Sequence, residues 1–234
     1  MKSAFLPVTL LAIIAAAPVL AAERTFDVSG FSEVAAGSGL AVEIVQGEGF
    51  AVTAEGTPRG LKRLEIDKRG DRLVIEREAR GLERFSPLMM ALADEVVVRV
   101  TLPELVAVSA SAGSDVTARG SASDTFSAEA SSGADLVLSG IDADVVTLEA
   151  SSGSGLEAAG RCGALGAEAS SGADLEARGL ACDSARARAS SGASIEITAA
   201  TVEAEAQSGA DVDVWGADSV EAVESSGGDV DVHQ

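Results

Sequence analysis

The sequence predicts an all-β fold, a right-handed parallel β-helix (β-solenoid) with about 17–20 residues per rung. Three observations predict it. A short stretch, "SSGADL" at Ser131–Leu136, occurs seven times in all, counting one exact repeat and five near-copies. Apolar and polar residues alternate on both sides of its glycine. No helical period runs through the repeats.

The N-terminus is read first. Lys2 is followed by an apolar run from Ala4 to Ala22, ending in the small residues Ala21 and Ala22. Such a run predicts a cleaved export signal over residues 1–22. The alternative is an uncleaved anchor helix, which Pro7 and Pro18 disfavour. No later segment is apolar for long enough to cross a membrane as a helix. The exported chain, residues 23–234, is expected to be one solenoid domain.

Residues 23–100 are expected to form irregular rungs. Leu40–Ile44, Arg72–Glu76 and Val96–Val100 read as strands. The excursion Ala79–Asp94 reads as a short helix capping the open end, or else as a partner-binding loop.

Residues 101–234 hold the regular repeats. Their central glycines are Gly113, Gly133, Gly153, Gly172, Gly192, Gly209 and Gly227. Seven before each stand Val106, Phe126, Val146, Leu165, Ala185, Val202 and Val220; three after stand Val116, Leu136, Leu156, Leu175, Ile195, Val212 and Val230. Period-two alternation about a glycine means strand, corner, strand. Units this thin bury nothing alone and must stack. Parallel crossovers are right-handed, which sets the expected hand. The serine before each glycine (Ser132, Ser152, Ser171, Ser191, Ser208, Ser226) is expected to form a hydroxyl ladder bonded to the turn backbone. These serines are poor nucleophiles, because the chain's one histidine, His233, supplies no column of bases.

Cys162 and Cys182 each stand ten residues before the next corner glycine, one rung apart in the same column. Stacked strands lie ~4.8 Å apart, within the Cα–Cα range of a disulfide. A bond is expected in an oxidising compartment; the alternative is two buried thiols.

The outward positions after the glycine carry Asp115, Asp135, Asp174, Glu176, Asp211, Asp213, Asp229 and Asp231, with Glu157 and Glu196 among them. Two readings stay open. One is a solvated face that keeps the protein soluble. The other is a Ca²⁺-binding array with these residues as candidate ligands, since hard cations prefer clustered carboxylates. No other cofactor is indicated. On the second outer column Arg188 falls among Glu129, Glu149, Glu168 and Glu205, which predicts a cross-rung ion pair worth under ~1 kcal/mol. Trp215 points outward, either to anchor a partner or to shield the last rungs.

Net charge is −20, with 37 acidic and 17 basic residues. That excludes nucleic acid as a partner. From Thr101 onward there are 23 acidic residues and five arginines, whereas nine basic residues lie between Arg59 and Arg84. This asymmetry makes head-to-tail self-association possible. The last rung (Val220, Ala222, Val230, Val232) is expected to expose apolar atoms and a strand edge.

"GSGLAVEIVQGE" (Gly37–Glu48), "VVVRVTLPEL" (Val96–Leu105) and the repeated small-Ser-Gly-x-Asp-apolar corners resemble the bacterial head-GIN domain family, the autotransporter-adhesin head domain. The resemblance runs from about Phe26 to Val232. It implies a secreted β-helical domain and no catalytic residues. It does not imply self-export, since no C-terminal membrane barrel is recognised. The residues and the resemblance together favour a non-catalytic module of the cell envelope, in the periplasm or at the surface. Its expected partner is an envelope protein or polysaccharide. The competing class, a polysaccharide-active β-helix enzyme, needs convergent acids in a groove with aromatics, and six Phe, one Trp and no Tyr supply little for that.

Overall fold

The computed structural model describes residues 22–78 and 95–234. The expected export signal, apart from Ala22, and the excursion Ala79–Asp94 lie outside them. The described strands stack as a β-solenoid of about six turns.

The regular body consists of β9 (Asp115–Ser131), β10 (Asp135–Ser151), β11 (Gly155–Ser170), β12 (Asp174–Ser190) and β13 (Ser194–Gln207). Each pairs in parallel with the next. The last rungs are β14 (Asp211–Trp215), β15 (Ser219–Ser225) and β16 (Asp229–His233); β14 and β15 pair with β13, and β16 with β14.

A rung has three faces, not the two that strand–corner–strand suggests. In β10 the buried residues are Leu136 and Leu138, then Ile141 and Ala143, then Val146, Leu148 and Ala150. Ser139–Gly140 and Asp144–Val145 interrupt the alternation, and Ser152–Gly153 closes the turn. Face 1 holds the residues after the corner glycine, and face 3 those before the next one. Face 2 is short, and Cys162 and Cys182 lie on it.

The Ser-Gly corner is uniform for a backbone reason. Both residues are left-handed: Ser132 has φ 55° and Gly133 φ 67°, and every copy repeats the pair. Glycine takes that conformation freely, whereas serine does so at a cost. The expected hydroxyl ladder does not form, and among the described residues none of those six hydroxyls makes a hydrogen bond. The ladder is backbone: Gly133 N–H donates to the Ser152 carbonyl (3.2 Å), and Gly113, Gly153 and Gly172 donate likewise to Ser132, Ser171 and Ser191. A serine points inward one residue later instead. Ser154 Oγ accepts from Ser151 N (3.1 Å) and donates to the Ala130 carbonyl (2.9 Å).

Rung length varies elsewhere, at the corner between faces 1 and 2. There the pairing of β10 with β11 shifts between Leu138 and Ile141, and that of β12 with β13 between Ala177 and Ala181. Shorter rungs therefore keep the Ser-Gly corner and both longer faces in register.

Spatial order departs from chain order in the first third. β2 (Glu33–Ala36) and β3 (Ala41–Gln46) form one rung between β6 (Arg72–Arg77) with β7 (Val96–Leu102) on one side and β8 (Ala107–Ala110) with β9 on the other. Beyond β6 and β7 the direction reverses. β4 (Ala51–Gly56) runs antiparallel to β7, β1 (Ala22–Phe26) antiparallel to β4, and β5 (Leu64–Arg69) antiparallel to β6. Helix α1 (Pro58–Arg63) joins β4 to β5; Thr57 caps it by accepting from Gly60 N at 3.0 Å, with Pro58 in the first turn. The large buried side chains, among them Leu40, Ile44, Leu73, Leu136, Leu148, Leu175 and Ile195, form one apolar column along the axis.

Candidate functional site

The outer columns are the surface that can meet a partner. The register pairs Asp115, Asp135, Gly155, Asp174, Ser194, Asp211 and Asp229 in one column of face 1. Its neighbour runs Val137, Glu157, Glu176, Glu196, Asp213 and Asp231. All eight candidate ligands therefore share one face. Gly155 and Ser194 break their column into two pairs with Asp174 alone between them, and Asp213 is taken by His233, whose Nε2 lies 2.6 Å from its Oδ1. Among the described residues no three Asp, Glu, His or Cys side chains converge where they could hold one ion. Like charges stacked this way repel, and screening relieves them. Added NaCl is expected to raise the melting temperature, and Ca²⁺ or Mg²⁺ at equal ionic strength to raise it equally. Calorimetry in the three salts checks this; a Ca²⁺-specific rise would favour the metal array over the solvated face.

Face 3 carries a shallow trough of about 380 Å³, lined by Glu129, Glu149, Glu168, Arg188 and Glu205 above a row of Ala and Ser. Arg188 lies 3.6 Å from Glu168 and 3.4 Å from Glu205, the cross-rung pairing its place in the column predicts. Glu149 pairs in register with Glu129 and Glu168, so like charges adjoin there. Arg186 pairs with Glu203 beside this column. On face 2 Arg161 grips Asp142 through two bonds of 2.9 and 2.7 Å, and that contact holds the Asp142 carboxyl below the usual carboxylate range. Nearer the N-terminal end Arg99 bridges Glu43 and Glu55, which keeps its guanidinium charged. These pairs are exposed and tie adjacent strands loosely.

Trp215 shields. Arg178 lies over its ring at 4.5 Å, and His233 stacks on it at 4.5 Å. With both contacts in place the indole offers no open face to a sugar. Sequence reasoning placed Trp215 outward but missed this stack, because Arg178 and His233 belong to other rungs and align only once the register is known.

The disulfide forms as the column rule requires. Cys162 and Cys182 are register partners bonded to each other, with Cα atoms 4.5 Å apart. Their column otherwise holds Ser123, Ala143 and Ala199.

A family model described as "Putative auto-transporter adhesin, head GIN domain" matches residues 30–217. The chain belongs to this family. No curated protein matches it. Among solved structures the GIN-domain chain is similar to a putative adhesin from Bacteroides fragilis, at 12% identity and TM-score 0.75, covering 91% of this chain and 97% of that one. It is similar also to a putative adhesin from Parabacteroides merdae (12% identity, TM-score 0.71, 92% and 96% covered). A third, described as a putative lipid binding protein, comes from Parabacteroides distasonis (11% identity, TM-score 0.68, 92% and 97% covered). At such identities the likeness shows the fold alone. No helix among the described residues is long and apolar enough to cross a membrane.

Proposed function

We propose that this GIN-domain chain is an exported, non-catalytic module of the bacterial cell envelope that works by surface contact, adhering to an envelope protein or polysaccharide. The observation that carries the reading is the face 3 column, which sets Glu129, Glu149, Glu168, Arg188 and Glu205 side by side at one-rung intervals. A repeated charge at ~4.8 Å spacing suits a long, repetitive or basic partner better than a small substrate. Family membership and the apolar N-terminal run support export. A lipid-holding role finds less support, because Leu136, Leu138, Ile141, Val146 and Leu148 fill the interior of the rung.

Binding of the fluorescently labelled protein to isolated envelope tests this. Saturable binding is expected, competed by unlabelled protein and weakened by salt. Charge reversal of Glu129 and Glu149 to Lys should weaken it about tenfold, since both are exposed and near no cation in their column. Binding that never saturates, or cleavage of an envelope polysaccharide by the purified protein, would overturn the reading.

A further inference from the structure

The two ends of the solenoid differ in a complementary way. Two strand ladders of one continuous sheet run its length. The face 1 ladder begins at β1 and ends at β16, and the face 3 ladder begins at β5 and ends at β15. Among the described residues each end thus presents two strand edges without a partner, one from each ladder. The strands match in size: β1 and β16 have five residues each, while β5 has six and β15 seven.

We propose that the β15–β16 end docks on the β1–β5 end of a second copy, head to tail. Three observations converge on this partner. The first is uncovered apolar surface. Val232 is 50% exposed, although its column mates Leu138, Ala158, Ala177, Ile197 and Val214 are buried, and on β15 the inward Ala222 is exposed although its register partner Ala204 is buried. A next rung buries this column everywhere else in the molecule, and the second copy supplies one here.

The second observation is charge. Residues 211–234 contain seven acidic residues and no Lys or Arg. Residues 58–69, which span α1 and β5, contain five basic and two acidic residues, with Lys62, Lys68 and Arg69 exposed. Opposite ends attract, and two acidic ends repel each other, so the charge selects head-to-tail over tail-to-tail contact.

The third is Glu224. It occupies the inward column that holds Ala110, Ala130, Ala150, Ala169, Ala189 and Ala206 in the other rungs, and it accepts from Val230 N at 3.2 Å. A carboxylate therefore stands on the open end itself, where the basic end of the incoming copy arrives. A heterologous contact of this kind does not close on itself and builds rods. The inference uses only the ends and does not depend on what the outer faces bind.

Sedimentation velocity on the purified protein tests it. Expected is a weight-average mass that climbs past the dimer with concentration at about 20 mM NaCl, with association at least tenfold weaker at about 500 mM. A head variant (Lys68→Glu with Arg69→Glu) and a tail variant (Glu221→Lys with Asp231→Lys) alter exposed positions, and circular dichroism verifies their folding. Each alone should be monomeric, and an equal mixture should associate again because the reversed ends complement each other. The proposal is overturned if the wild type is monomeric at low salt, if its growth stops at the dimer, or if the variants associate as it does. It is overturned equally if the mixture stays monomeric. A Glu224→Ala variant that associates more strongly than wild type would identify that carboxylate as a guard against edge pairing and overturn the docking too.

Discussion

Replacing Gly160 with alanine is expected to destabilise the solenoid by about 4 kcal/mol, lowering the melting temperature by roughly 10 °C. Two effects combine. Gly160 has φ +146°, a conformation alanine adopts only under strain, of order 1–3 kcal/mol. A Cβ there would also lie 2.2 Å from the Ile141 carbonyl oxygen and 2.6 Å from its nitrogen. Both atoms are backbone of the neighbouring rung, so relief requires the rungs to part. Gly133→Ala separates the two effects. It has φ +67° with nothing within 4 Å of the added Cβ, and should cost about 1 kcal/mol. Gly166→Ala, with no positive φ and a nearest atom at 4.0 Å, should be close to neutral. Thermal unfolding of the three variants orders them. If Gly160→Ala were no worse than Gly133→Ala, the close approach of the rungs would be refuted.

Removing the disulfide is expected to cost about 3 kcal/mol, the loop-closure value for a cross-link of this span. The span is one rung, a sequence separation of 20. The double variant Cys162→Ala, Cys182→Ala is well suited to the measurement, because alanine already fills this column at Ala143 and Ala199. The variant and the reduced wild type should melt at similar temperatures, both several degrees below the oxidised protein. Mass before and after alkylation checks the starting state. Equal stability of the variant and the oxidised wild type would refute the loop-closure value for this bond.

The regular half of the fold was legible because each rung repeats one demand. Val116, Leu136, Leu156, Leu175, Ile195 and Val212 all need an apolar residue for one reason, and six copies of that reason are hard to mistake. The cysteine pairing and the Arg188 ion pairs followed from the same column arithmetic. The third face was not legible. It is short, and its first column (Ser121, Ile141, Gly160, Leu180) shares no residue type. The order of the first rungs was hidden for another reason. β2 and β3 sit between strands that come later in the chain, and that insertion is decided by sheet pairing across more than fifty residues, which a local pattern does not record. Likewise the serine column displayed its identity but not its backbone angle. A serine at φ 55° looks, in sequence, like any turn serine seeking a hydroxyl bond.

The uniform Ser-Gly corner makes the rung a unit of length. The corners at Gly113, Gly133, Gly153 and Gly172 each donate to the next through the same Gly N–H and Ser carbonyl, and faces 1 and 3 keep their register whether a rung holds 20 residues or 17. A genetic duplication of one such unit, for instance residues 133–152, would add a rung whose interior, corner and neighbours are already solved. The molecule would lengthen by ~4.8 Å without a new core. Mispairing between near-identical repeats readily produces such duplications and deletions at the level of DNA. The reach of this protein is therefore free to change in fixed steps while its cross-section stays constant.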